Sequence, residues 1–422
     1  MFLARWPHLV AATLLLCGTI GTGGRGRPAP AGEIEQTAAA IRKAGGTVAR
    51  DTDGRITGVD LTANRAPVDE KLAQAVLRLP QLKMLRLSLN AISPETLDRL
   101  TAQKQLTELA LRDVPLTDAQ FARLIANLPR LRRLALRRVN GVSAAGLDAL
   151  VSLPRLEVLA LVEMGISGQA LAGLQKLDHL RSLDLRKCEA LKTGDYRTLT
   201  AMKSLRELKL AGSSAGDAAL EIVAAMPALD ALVIEDSPVS AEAVQRLAAV
   251  GGLAGRMQSL TFTRCYGVTD DALRVVMAMP RLESLSIRRC PVAGDFLTRW
   301  ADTPAEKLPK LRTLVVTDAF LPAEALAVLP RFAPSLRRLD LSRVMLTPAA
   351  MKAIGELTAL ESLQLAACSL TDEAIEPIAN LKKLTTLDLS GNFGVTDKSA
   401  RLLRGLTRLK RPDTEKSGTT SP

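Results

Sequence analysis

Apolar residues recur along this chain in one dominant pattern, L-x-x-L-x-L. Aligned on its first apolar residue, the pattern starts at Ile56, Leu82, Leu106, Leu131, Leu156, Leu180, Leu205, Leu229, Met257, Leu282, Leu311, Leu336, Leu360 and Leu384. The alternation within it predicts a short half-buried strand, because strand side chains point to opposite faces in turn. Behind each strand the period changes. In the unit beginning at Leu106, Phe121, Leu124, Ile125 and Leu128 fall at helical spacing; Thr117 can cap that helix and Pro129 stops it. The chain therefore reads as fourteen strand–turn–helix units. Most are 24 or 25 residues long, stretching to 28 after Leu229 and 29 after Leu282.

The punctuation repeats with the period. Ser93-Pro94 and Thr347-Pro348 place a capping hydroxyl before a proline at the first helical position. Thr269-Asp270, Thr371-Asp372 and Thr396-Asp397 repeat a Thr-Asp form of the same cap. Proline closes units at Pro80, Pro129, Pro154, Pro227, Pro280 and Pro309. One unit buries too few aliphatic side chains to offset the entropy of ordering its backbone, so stability must come from stacking on neighbours, and the ends need caps. Residues 32–55 predict such a cap, a short helix and a hairpin turning at Asp53-Gly54, ahead of a repeat array over residues 56–410. Residues 411–422 have no apolar period and are expected to be a disordered tail.

Composition adds two constraints. Hydrophobic residues make up 47% of the 422-residue chain but aromatic ones only 3%, so the core must be aliphatic. The formal charge is +12, and Arg5, Arg25 and Arg27 lie in a leader over residues 1–31. That leader has the form of an export signal: Arg5, an apolar run over residues 9–20, and a small-x-small cleavage site at Ala29-Pro30-Ala31. The run is too short to span a bilayer, and no later segment resembles a transmembrane helix. The expected location is periplasmic, cell-envelope or secreted. A lipid anchor at Cys17 is disfavoured because Leu16, just before it, is not small.

These residues resemble the leucine-rich repeat family, and the resemblance covers residues 56–409. It implies an α/β solenoid, a curved horseshoe with a parallel sheet on the concave face and helices on the convex face. The lead-in is similar to that of exported bacterial members. Position nine of each unit is ordinarily an Asn whose amide bonds the backbone of adjacent turns; Asn64, Asn90 and Asn392 keep it. Cys188, Cys265, Cys290 and Cys368 occupy the same position, which resembles the ribonuclease-inhibitor-like and cysteine-containing classes. Val114, Val139, Met164, Ala319 and Val344 depart from it. The cysteines read first as buried thiols. A bridge between Cys265 and Cys290 on adjacent rungs stays open, although stacked side chains point in parallel.

Gly212, Ser214 and Gly216 spell G-x-S-x-G, the pattern of a nucleophile elbow, but no histidine follows Ser214 and His179 precedes it, so the hydrolase order is impossible. The repeat accounts for each of these residues. No Walker loop, zinc-protease motif, dinucleotide fingerprint or CxxC cluster is present, and no cofactor or metal is expected.

Binding would fall on positions three, five and seven of each unit, which face the concave side. Arg86, Arg112, Arg133, Arg137, Arg186 and Lys209 stand there in the early units, with small hydroxyls such as Ser259, Thr261 and Ser286 in later ones. The expected function is a non-enzymatic scaffold, a monomer, that recognises a protein ligand, acidic in character, through these basic residues. The competing expectation is a structural envelope element with no single partner. Nucleic acid is disfavoured because acidic residues interleave the basic ones and no stacking aromatics do.

Overall fold

In the computed structural model, residues 31–62, 68–249, 251–299 and 310–409 are described. The leader with Cys17, Asn64, Pro309 and the tail from 411 lie outside the described residues. The chain forms two compact units, Met1–Ala160 and Leu161–Pro422.

The first unit opens with helix α1 (Ala31–Lys43), which buries Ala38 and Ile41 and is tied to strand β1 by a fork between Arg50 and Glu35. Strand β1 (Thr47–Arg50) pairs antiparallel with β2 (Ile56–Asp60) around the turn at Gly54, whose φ of 77° suits glycine. Strands β3 (Met84–Ser88), β4 (Glu108–Arg112) and β5 (Arg133–Arg137) then add in parallel, in sequence order. Strand β6 (Val158–Val162) contains the boundary between the units.

The second unit continues the same way. Its strands are β7 (Ser182–Asp184), β8 (Glu207–Ala211), β9 (Ala231–Glu235), β10 (Ser259–Thr263), β11 (Ser284–Arg288), β12 (Thr313–Thr317), β13 (Arg338–Asp340), β14 (Ser362–Gln364) and β15 (Thr386–Asp388). They too are parallel and follow sequence order. The insertion after Leu229 adds a helical turn, Gly251–Ala254, on the return path rather than in a strand.

Each strand from β3 onward begins at position three of its unit, and within each unit position three pairs with position three, as in Glu108↔Arg133 and Ser259↔Ser284. Leucine at position four therefore stacks on leucine in rung after rung, each at most 3% exposed. A slip of one residue would turn that whole column to solvent, which is why the register is fixed so firmly.

Ser93, Thr117 and Thr347 cap their helices, Thr117 in a reciprocal box with Gln120. Thr269 does not make the expected bond, and Thr371 opens no regular α-helix. Thr396 does cap its helix, accepting from the Lys398 N–H. At several of these turns an aspartate just after the cap position also bonds the following rung. Asp270 accepts from the backbone N–H groups of Ala293, Gly294 and Phe296 at 2.6–3.1 Å. Asp118 accepts from N and Oγ of Ser143, Asp217 from N and Oγ of Ser240, and Asp372 from N and Oγ1 of Thr396. The helix ends are thus satisfied by the neighbouring rung, a link that propensity within one unit does not reveal.

Candidate binding face

The open face of the sheet is built from positions three, five and seven. In the first unit this face carries Asp60, Arg86, Glu108, Arg112, Arg133 and Arg137. Arg86 occupies both carboxylates: its Nη1 lies 3.1 Å from Asp60, and Nε and Nη2 donate to Glu108 Oε1 at 2.8 and 2.5 Å. Burial works against its charge, and the two carboxylates raise its pKa on balance. Arg112 donates to the Thr62 carbonyl at 3.1 Å and holds its Nε 3.3 Å from Asp113, off the axis of a hydrogen bond. Arg133, with 39% of its side chain exposed, reaches Glu108 only at 3.9 Å. Arg137 is half-buried beside it, and its side chain is engaged within the fold. Of these guanidiniums, Arg86 and Arg133 reach the two face carboxylates, while Arg112 turns to Asp113 and the Thr62 carbonyl.

The second unit balances its charge differently. Arg186 is closed by Asp184 on its own strand and by Glu235 two rungs away, at 2.8 and 2.9 Å. Burial opposes its charge, but these bonds raise the pKa overall. Lys209 lies 3.2 Å from Glu207. Both residues were expected among ligand contacts; both hold carboxylates of their own sheet. Glu235 could not be matched to Arg186 from local pattern, because 49 residues separate them and only the stacked register brings them together.

The edge where strand passes into turn has a backbone feature of its own. In twelve successive units position eight has positive φ, and ten of those residues are not glycine: Asp113, Arg138, Glu163, Lys187, Asp236, Arg264, Arg289, Asp318, Arg343 and Ala367, with φ between 50° and 61°. Gly212 and Gly391 complete the series. This left-handed conformation costs a non-glycine residue about 1–2 kcal/mol. Charge pairing between neighbours offsets part of it. Arg138 forks onto Asp113 at 2.6 and 2.9 Å, Arg264 onto Asp236, and Arg343 onto Asp318, which Arg289 also approaches at 3.6 Å. The three aspartates have lowered pKa values, first because of the guanidinium hydrogen bond each accepts.

Position nine is the buried slot. Asn392 is fully buried there: Oδ1 accepts from the N–H groups of Cys368 (2.8 Å) and Leu370 (3.1 Å), and Nδ2 donates to the carbonyls of Leu365 (2.7 Å) and Leu389 (2.9 Å). Asn90 departs from expectation. It is exposed, and Leu89, one residue earlier, is buried instead, since this unit lacks the left-handed residue that turns position nine inward. The four cysteines are buried free thiols. Cys188 Sγ donates to Leu161 O at 2.8 Å and Cys368 Sγ to Leu341 O at 3.2 Å, while Cys265 and Cys290 point at backbone carbonyls rather than at each other. Burial pushes Cys188 and Cys368 up to about 11 and Cys265 to about 12.

Ser214 sits in the turn after β8. Its hydroxyl shares a hydrogen bond with the Tyr196 phenol at 2.8 Å, and its carbonyl accepts from Thr193 Oγ1. Burial raises the Tyr196 pKa, so its neighbour at neutral pH is a phenol and not a base. His179 lies exposed at a different turn. No group of three or more potential metal ligands occurs among the described residues.

Comparison with known proteins agrees with this period. A family model described as a leucine-rich repeat region matches residues 60–324, and a second leucine-rich repeat model matches residues 380–403. The Tonsoku-like protein of Mus musculus is 30% identical over 254 residues, 52% of this chain; the chain spans only 18% of that relative's length. Among solved structures, the yeast Rad7–Elc1 complex matches with a TM-score of 0.53 at 16% identity, covering 92% of this chain and 89% of that one. An internalin from Listeria monocytogenes matches with a TM-score of 0.48 at 21% identity, covering 91% and 94%. With a family model over more than half its length and the period of that family in its strand register, the chain belongs to the leucine-rich repeat family.

Proposed function

We propose that the chain is a non-enzymatic binding scaffold that recognises a protein ligand, acidic in character, on the open sheet face of its first unit. The observation that carries this reading is the charge inventory of β2 to β5. Asp60 and Glu108 are both taken by Arg86, while Arg133 keeps 39% of its side chain exposed and reaches Glu108 only at 3.9 Å, beside Arg112, held by the Thr62 carbonyl and Asp113, and Arg137, engaged within the fold. Arginine forks match carboxylates in pairs and are enriched at binding hot spots. Repeat solenoids use such extended faces for binding. Arg86, Arg186 and Lys209 enter this reading as residues that hold the face's own carboxylates in place. The apolar run over residues 9–20 with Ala29-Pro30-Ala31 supports a location outside the cytoplasm.

The test is crosslinking on intact cells with the full chain and with a variant carrying R112E, R133E and R137E. A stoichiometric protein partner captured by the first and lost from the second, with thermal stability retained, is the expected result. Capture unchanged in the variant rejects the site.

A further inference from the structure

The two ends of the sheet are finished differently. At the first, β1 is tied to helix α1 by the fork between Arg50 and Glu35. At the last, β15 pairs with β14 on one side and with nothing among the described residues on the other. The backbone bonds that join one rung to the next show which groups this leaves over. From position six, Leu341 N–H donates to Gln364 O and Leu365 N–H to Asp388 O; from position eight, Arg343 N–H donates to Ala366 O and Ala367 N–H to Ser390 O, all at 2.8–3.0 Å. The position-two carbonyls of Arg337 and Glu361 each accept two N–H groups from the rung that follows. In the last rung the equivalent groups are the N–H of Leu389 and Gly391 and the carbonyl of Thr385, and none has a partner among the described residues. Such an open ladder is the template on which an extended chain adds to a sheet.

Unpaired positive charge stands at one end of this edge. Lys382 and Lys383 come just before β15, and Arg404 and Arg408 lie on the return from the last helix; all four are exposed, and among the described residues no ion pair or side-chain hydrogen bond holds any of them. Leu384 N–H donates to Leu381 O and Leu409 N–H to Leu406 O, both at 3.0 Å, so Lys383 and Arg408 stand at the same point of successive turns. A Cβ placed on Gly405 would lie 3.2 Å from Lys382 Nζ, which sets that ammonium against the short turn Leu403–Gly405 that carries Arg404. The carboxylates on this side belong to earlier turns: Glu361, taken by Arg337, and Glu356. In the last unit Asp388 lies on the sheet face, accepting from Ser390 N–H, and Asp397 is engaged at the start of the last helix.

We propose that the open edge of β15 receives an extended, acidic segment of a partner protein, whose main chain pairs with Leu389, Gly391 and Thr385 and whose carboxylates meet Lys383 and Arg408. Charge selects this occupant. Pairing with β15 of a second copy would bring two sets of these cations together. The chain's own continuation would add Lys410 and Arg411 to the cluster and set Pro412 at the position that Leu363 and Leu387 fill in β14 and β15. The proposal is separate from the sheet face of the first unit and survives if that reading fails.

The test uses the full chain as bait for a displayed library of short random peptides, with two variants: the charge variant K382E, K383E and R408E, and the first-unit variant R112E, R133E and R137E. The expected result is selection of peptides with Asp or Glu at one end of a strand-forming run. Binding slows hydrogen exchange at the Leu389 and Gly391 amides. N-methylation of the peptide at alternate residues lowers affinity roughly tenfold or more in one register and leaves it unchanged in the other, because an added strand uses the N–H groups of every second residue. Affinity also falls with salt and drops roughly tenfold on the charge variant, and it persists on the first-unit variant. The three charge substitutions lie at exposed residues, so thermal stability should be retained. Selected peptides that leave both amides unprotected, tolerate N-methylation in either register or bind the charge variant equally well overturn the proposal. So does failure to select any peptide while the charge variant self-associates in sedimentation, since the cations would then serve only to keep copies apart.

Discussion

Asn392 offers a quantitative test of how one rung is tied to the next. Replacing it with alanine removes four buried hydrogen bonds, two accepted from the N–H groups of Cys368 and Leu370 and two donated to the carbonyls of Leu365 and Leu389. Three of these partners lie on the preceding rung. At about 1 kcal/mol net per bond, with the stranded backbone groups left buried, N392A should cost about 3–5 kcal/mol. A cysteine at this site should cost roughly half as much. Cys368 shows that a thiol in the slot still donates one bond to a carbonyl, but sulfur is a weak acceptor. The assay is urea unfolding followed by circular dichroism, with hydrogen exchange at the Cys368 and Leu370 amides as a local probe. The local probe is needed because stacked repeats can unfold in segments. If N392A costs less than about 1 kcal/mol and leaves both amides protected, the slot does not hold the rungs together.

Three further outcomes are expected. A367G should stabilise the chain by about 0.5–1 kcal/mol in the same assay, since relief of a φ of 55° outweighs the added freedom of glycine in the unfolded state; destabilisation would show that Ala367 carries no strain. Asp113, Asp236 and Asp318 have folded pKa values depressed by their arginines, so their contribution is complete above the ordinary value of 3.8 and is lost as pH falls through the lower folded values. Stability from these pairs should therefore hold down to about pH 4 and fall below it, and D318N should flatten part of that fall in acid titrations of unfolding. In a C17S chain, Cys188, Cys265, Cys290 and Cys368 should resist a thiol reagent at pH 8 until denaturant is added, because burial raises all four; rapid labelling of the native chain would contradict their placement.

The strands were legible because burying one side of each imposes a two-residue alternation that leucine makes visible, and every strand from β3 begins where that alternation starts. The left-handed column was not legible. Only Gly212 and Gly391 advertise it, and an arginine or aspartate at position eight gives no local sign that its neighbour on the next rung helps to hold φ positive. Asn90 was misplaced for the same reason, as its unit has the right letter but not the preceding turn. The basic residues of the binding face were legible individually, while their carboxylates were not: Glu235 reaches Arg186 across a whole intervening rung.

The in-register pairing of β13, β14 and β15 has a consequence for how such a chain can change length. Excising residues 360–383, one complete period, would bring Thr386 beside Arg338 and Leu387 beside Leu339, and the Asn392 amide would face the backbone of Val344 and Leu346 in place of Cys368 and Leu370. The matching surfaces are interchangeable, so length can vary in whole periods at little cost, whereas loss of a single residue within a strand would misalign everything beyond it.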